Sequence, residues 1–337
     1  MGELFSALVS MLVAVAALGA FVVLLYGLAH LLPRRAREGG RVVSFLFPAI
    51  LCLVVGLFVP AIKTIWASMF TDQDKPKFAW FGQYVDIYQT KGSREVVFNS
   101  MTWVVLGTLV TTITGLAVAR YTDGMRGERA MRSVIFIPGA ISLAGAGIIW
   151  KFVYAVAPSN VGLLNQVTKV IPGLPANMGG NGTRNWLLNQ EFGGVNFHFN
   201  TLLLIVIFIW VSTGFATVVF SAAIKGVPDS LIEAAKIDGA TNSQAFYKVT
   251  LPYIRATIVT VATTTTIAGL KAYDIVAATT GGRFHTSTIA NEFFDVFFTQ
   301  NRDGNGSALA VVMFVLVIPI VVFNRRAQRR AEEMIGA

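Results

Sequence analysis

The sequence predicts an all-α protein, a polytopic bundle of about seven transmembrane helices, and three observations carry that prediction. Only 13% of the 337 residues are charged while 54% are apolar, whereas a soluble domain carries about a quarter charged residues. Mean hydropathy is +0.63, and uninterrupted apolar runs reach the ~20 residues needed to cross a hydrocarbon core. Lys and Arg cluster in alternate connections between those runs, as they do where basic residues resist transfer across a membrane.

Seven stretches qualify as spans: Leu4–Leu32, Val42–Ile62, Val96–Ala119, Val134–Tyr154, Thr201–Ile224, Ala256–Thr279 and Ser307–Phe323. The first is read as a retained span. A cleaved signal has a basic start and a short apolar region, whereas here Glu3 is the only early charge and the run is far longer. The last is short but uncharged. With the N-terminus outside, the inner segments are 33–41, 120–133, 225–255 and 324–337, and they hold sixteen of the 27 basic residues, against nine outside. That distribution places the C-terminus in the cytoplasm of a cell-membrane protein. It also accounts for the net charge of +9 as a topology signal, with no nucleic-acid partner. Residues 1–41 read as an extra N-terminal helix with a basic linker, 42–324 as the core, and 325–337 as a basic tail. The outer segment 155–200, with Pro158, Pro172, Pro175 and the run Met178–Thr183 rich in Gly, predicts a small ordered cap interrupted by turns. Asn181-Gly182-Thr183 and Asn305-Gly306-Ser307 match the glycosylation pattern and read as chance tripeptides.

The composition offers little to catalysis. Cys52 is alone, so no intrachain disulfide forms. No phosphate-binding G-x-x-x-x-G-K-[ST] loop, H-E-x-x-H or C-x-x-C occurs. His30, His198 and His285 are far apart in sequence, and although the last two fall in outer loops, no metal site is expected. The chain is expected to be non-catalytic.

Chemistry concentrates in residues 226–252. Pro228 fits the first turn of a helix and Asp229 complements its positive end. Leu231, Ala234 and Ala235 share one face. Asp238-Gly239 ends that helix, Gly supplying a left-handed cap, and Thr241 or Asn242 caps a second short helix whose apolar contacts come from Phe246, Val249 and Leu251. Pro252 precedes the sixth span. A helix-turn-helix this small, with alanines outward, suits insertion into a groove of another protein.

This segment resembles the EAA loop of ABC importer permeases: Glu233, Ala234, Ala235, Asp238, Gly239, Ala240, Phe246, Leu251 and Pro252 all match, with Val249 in place of Ile and Ala256 where a second proline is frequent. Further pieces in order are similar to the sugar branch of maltose or α-glucoside type: Trp150, Gly162-Leu163-Leu164-Asn165, Asn185-Trp186-Leu187, and Tyr273-Asp274 followed by Thr280-Gly281-Gly282. The resemblance implies the type I importer fold. It also implies a second, homologous permease, two ATPase subunits carrying ATP and Mg, an extracellular or lipid-linked substrate-binding protein and a carbohydrate substrate. No cofactor is expected in this chain itself. For the substrate path, spacing along the sixth span places Thr260, Thr264, Lys271 and Asp274 on one stripe beside Tyr273, and spacing along the fifth does the same for Trp210, Gly214, Thr217 and Ser221. Intramembrane charges usually face a bundle interior or a wet cavity. Two simpler readings stand beside it: threonines that bond back to their own helix, and a Lys271 that snorkels to the interface. The alternative class is an ion-gradient-driven secondary transporter, which would show paired repeats with interrupted helices; the 225–255 loop has no repeat.

Overall fold

The computed structural model describes residues 2–31, 42, 46–72, 77–157, 160–175, 179–188, 191–192, 195–196 and 198–335. The basic segment 33–41 and Met178 lie outside the described residues. Two compact units form, Met1–Ala67 and Ser68–Ala337.

The first unit holds α1 (Gly2–Leu31) and α2 (Leu46–Ala67), whose window is entirely unburied and is widened by a π turn over Val54–Phe58. Phe21 and Phe47 bring their rings to 5.9 Å between centroids. An exposed surface of Leu, Ile, Val and Phe on a helix of this length suits lipid contact, since the helix satisfies its own backbone.

The second unit runs α3 (Gly82–Gln89), α4 (Gly92–Thr122), α5 (Glu128–Ala140), α6 (Leu143–Val153), α7 (Leu163–Val170), α8 (Phe199–Lys225), α9 (Asp229–Ile237), α10 (Asn242–Ala245), α11 (Arg255–Leu270), α12 (Asp274–Thr279), α13 (Ile289–Phe294) and α14 (Asp303–Ile335). Two antiparallel hairpins of two-residue strands, Val156–Ala157 with Asn160–Val161 and Glu191–Phe192 with Val195–Asn196, are the strands among the described residues. The core joins α4, α6, α8 and α12 through Trp103, Ala146, Leu204, Ile207, Phe208, Ile275 and Val276. Trp103 meets Phe208 edge-on at 5.7 Å between centroids. Lipid supplies no hydrophobic drive between helices, so small residues that admit close backbones do that work. A Cβ on Gly115 of α4 would lie 2.5 Å from that of Ala216 on α8, and one on Gly147 of α6 3.1 Å from that of Ala278 on α12.

Among the described residues four helices are long and apolar enough to span: Leu46–Ala67, Gly92–Thr122, Phe199–Lys225 and Asp303–Arg326. Two other expected spans are interrupted. The fourth is a bent pair, α5 and α6, turned by 98°. Pro138 sits in a 3₁₀ turn, and Ser142 caps α6 by accepting the N–H of Gly145 at 3.1 Å. The sixth is broken: α11 ends at Leu270, Lys271–Tyr273 leave the helix, and α12 restarts at Asp274. The hydroxyl of Thr288 donates to the freed carbonyl of Ala272 at 2.7 Å. The seventh continues beyond the expected Phe323 as one helix to Ile335, across the segment expected as a tail. Asn305 is buried and bonded to Gln83, so its tripeptide offers no accessible glycan acceptor.

Candidate functional site

Residues 226–254 form the helix-turn-helix that the spacing predicts. Pro228 stands one position earlier than expected, at the N-cap, and Asp229 is the first helical residue. At the other end of α9, Gly239 takes φ +84°, its N–H bonds to the carbonyl of Lys236 at 3.0 Å, and the N–H of Ala240 bonds to that of Ala235 at 2.9 Å. This paired pattern closes a helix through a left-handed glycine. Thr241 then caps α10, accepting the N–H of Gln244 while the Gln244 side chain accepts the N–H of Thr241 at 2.8 Å, a reciprocal capping box. Phe246 and Thr250 are buried in the π turn that follows, Leu251 is half-buried and Pro252 exposed. Nothing on α9 is buried: Glu233 and Ala234 are exposed, as are Leu231 and Ile237, the latter 86%. Leu231 and Ile237 thus put apolar surface on a polar loop, and beside it a cleft of about 390 Å³ is lined by Ala235, Asp238, Gly239, Ala240, Gln244 and Lys248.

One side chain that spacing could not signal holds this loop from outside. Arg120, in the last turn of α4, places its guanidinium 3.9 Å above the Phe246 ring and 5.6 Å from that of Tyr247, and donates to the Ser243 hydroxyl at 3.3 Å.

The opposite end of α8 carries a second polar assembly. Asn165, from the Gly162–Asn165 motif, is fully buried. It donates to the carbonyls of Ala155 (3.1 Å) and Arg184 (2.9 Å) and accepts from the N–H of Arg184 (3.2 Å) and the indole of Trp186 (2.9 Å). The Gly162–Asn165 and N-W-L pieces thereby converge. A cleft of about 520 Å³ is lined by Lys151, Tyr154, Asn185, Leu187, Thr280, Gly281, Arg283 and Phe284. The loop after α12 is held by Asn99, donating to the carbonyls of His285 and Ser287 at 2.8 and 3.0 Å, and by Asn200, donating to that of Phe284 at 2.7 Å. His198 and His285 do meet, ring centroids 6.2 Å apart, both beside Glu95. Among the described residues no group of three or more His, Cys, Asp or Glu is arranged to hold a metal.

The two expected stripes fare differently. On α8, Trp210 is half-buried and packs edge-on against Trp150 at 5.7 Å, with Tyr154 5.3 Å beyond, an aromatic series between α6 and α8. Gly214 faces the backbone of α5, Thr217 is buried and bonded back to Thr213 at 2.8 Å, and Ser221 is buried. These three sit in helix packing rather than on an open face, because the close contacts of α8 with α4 and α5 consume that side. On the sixth span the break removes the single stripe. Thr260 and Thr264 are exposed and each bonds back to its own helix at 2.9 Å. Lys271 caps α11 and Asp274 opens α12, both exposed, and Tyr273 packs on Phe294 at 4.6 Å.

Comparison with known proteins agrees with this architecture. The permease protein GgtC of Synechocystis, named for uptake of osmoprotective compounds, is 36% identical over 86% of this chain and 99% of its own length. The alpha-glucoside transport system permease protein AglF of Rhizobium meliloti is 37% identical over 85% of this chain and 82% of its own length. A bacterial alginate ABC transporter, solved in complex with a periplasmic protein carrying an alginate pentasaccharide, contains a chain of the same fold. Its TM-score is 0.71 at 21% identity, covering 88% of this chain and 96% of that one. The family described as binding-protein-dependent transport system inner membrane component matches residues 112–333. This chain, a helical permease subunit with its helix-turn-helix inside the matched region, belongs to that family.

Proposed function

We propose that this permease imports an α-glucoside or a similar oligosaccharide, delivered by an extracellular binding protein, and that residues 229–252 receive force from ATPase subunits. The observation that carries the reading is the exposed helix-turn-helix, whose α9 buries none of its side chains yet is held in one shape by the Gly239 cap and the Thr241 box. Two ATPase subunits, binding ATP and Mg themselves, would grip this loop and its counterpart on a second permease. Glu233 offers a carboxylate for a charge-assisted hydrogen bond, and Ala234 and Ala235 admit close approach. Closure of the ATPases would then swing the permeases between two packed states as rigid bodies. The basic-residue bias supports an N-terminus outside and this loop in the cytoplasm. Residues 1–41 would be an appendage to a core of 42–324, with 325–337 as its cytoplasmic end. The sugar assignment is supported by the name of the Rhizobium relative and by the Trp210, Trp150 and Tyr154 series, since sugars present apolar ring faces. Thr260, Thr264, Lys271 and Asp274 supply the exposed polar groups of the proposed path, with Tyr273 beside them; Gly214, Thr217 and Ser221 serve the packing.

The test is ATP-dependent uptake of labelled maltose and trehalose by proteoliposomes holding the whole transporter and its delivery protein. Glu233→Ala and Gly239→Asp are expected to insert normally but lose ATPase association or sugar-stimulated hydrolysis. Normal import by both variants, with ATPases fully bound, would refute the loop's role. Uptake driven by an ion gradient without ATP would refute the class.

A further inference from the structure

We propose that Arg120 and Glu128 brace the two ends of the 226–254 loop to the end of α4 and the start of α5, making Arg120 a positioning residue for coupling. This rests on the reading of that loop as the ATPase docking element. A docking element transmits force only if it is held, and α9 buries none of its side chains. Its hold lies at its two ends. Past α10, the Arg120 guanidinium stacks 3.9 Å above the Phe246 ring and bonds to Ser243 at 3.3 Å. Before α9, Lys225 closes α8 with its ammonium 2.7 Å from Glu128, which also pairs with Arg132 and accepts the N–H of Gly124 at 3.1 Å. Gly124 and Gly127, at φ +70° and +87°, make the turn between α4 and α5.

The consequence is mechanical. Force applied at α9 does not dissipate in a hinge at residue 226 or 250. It enters α4 through Arg120 and α5 through Glu128, and α4 is locked to α8 where Gly115 meets Ala216. The chemistry at the Phe246 end calls for Arg in particular. A planar guanidinium stacks on a ring and still donates sideways to Ser243, whereas the compact ammonium of Lys does one or the other.

The experiment uses the whole transporter, with ATPases and delivery protein, in proteoliposomes, and reads sugar imported per ATP hydrolysed. Arg120→Ala is expected to retain ATPase subunits at wild-type stoichiometry while sugar per ATP falls at least fivefold, with Arg120→Lys between the two. Phe246→Leu is expected to lower the ratio too, and the double variant to fall no further than Arg120→Ala alone, because both remove one link. If Arg120→Ala does not assemble, Arg120→Lys decides, a wild-type ratio overturning the brace. A wild-type ratio in Arg120→Ala, or independent multiplying losses in the double variant, also overturns it. Glu233→Ala separates the two levels of inference. If it alone is impaired, only the brace is wrong; if it and Arg120→Ala both import normally, the docking role of the loop is wrong.

Discussion

Gly214→Ala tests whether α8 and α5 touch backbone to backbone. A Cβ built on Gly214 lies 2.6 Å from the carbonyl oxygen of Ile135 and 2.9 Å from the Cα of Phe136, where ordinary contact begins near 3.4 Å. Both obstacles are main chain, so no rotamer change relieves them, and the helices must part by about 0.8 Å or shear. Overpacking of this kind costs about 1–3 kcal/mol, and rigid obstacles place it at the upper end. Ala gains back about 0.5–1 kcal/mol of helix stability over Gly. The net expectation is a loss of about 2 kcal/mol, close to thirtyfold in the folding equilibrium at about 1.4 kcal/mol per factor of ten. Gly92→Ala is the control in the same unit, because nothing lies within 4 Å of its added Cβ. Equilibrium unfolding in mixed detergent and dodecyl sulfate micelles, followed by tryptophan fluorescence, should show Gly214→Ala unfolding at clearly lower dodecyl sulfate than Gly92→Ala. Coincident curves would refute the close crossing and return Gly214 to an open face.

Other consequences are tested more briefly. Gly239→Ala adds a side chain in open space but at φ +84°, so only backbone strain of about 1–2 kcal/mol opposes it; protease cleavage of the loop should rise, and less so for Gly239→Asn, since Asn tolerates this conformation. Asn165→Leu removes the partner of the Trp186 indole and the Asn165 bonds to the Arg184 carbonyl and N–H, each lost buried bond costing about 1–3 kcal/mol, while the Ala155 carbonyl keeps the N–H of Gly162; it should red-shift Trp186 emission, and unchanged emission with native thermal stability would contradict the hub. Reporter fusions after Arg37, Asn181 and Arg326 should read inside, outside and inside, and a cytoplasmic signal at Asn181 would reverse the orientation drawn from the basic residues.

The 226–254 loop was legible in detail because every determinant in it is local. A left-handed glycine, a capping threonine and a helix-opening aspartate act within four residues of where they stand, and each did what its type predicts. Span positions were legible because apolar length is also local. The path stripes were not, because they assumed straight helices and took a polar side chain in a span to point at a cavity. Thr217 bonds to its own helix and Gly214 admits a neighbour, uses that depend on which helix lies alongside. Arg120 was invisible for the same reason: its partners Ser243 and Phe246 come from a distant part of the chain.

The broken fourth and sixth spans show how polar content and helix breaks answer one another. Breaking a helix inside a membrane frees backbone groups that lipid cannot satisfy, so the break persists only where protein supplies partners. At Ser142 the side chain caps the restarted helix itself. At Lys271–Tyr273 the partner arrives from beyond the T-G-G turn, as the Thr288 hydroxyl on the Ala272 carbonyl. That turn is pinned in its turn by Asn99 of α4 and Asn200 of α8. Buried asparagines in apolar helices, costly if unpaired, thus fix the loop that satisfies the break. The two short helices that the breaks create, α6 and α12, pack against each other at Gly147 and carry Lys151, Thr279 and Thr280 to the rim of the 520 Å³ cleft. The scattered motifs W-K, N-W-L and D…T-G-G are therefore parts of one construction, a pair of interrupted helices and the hydrogen bonds that make interruption tolerable.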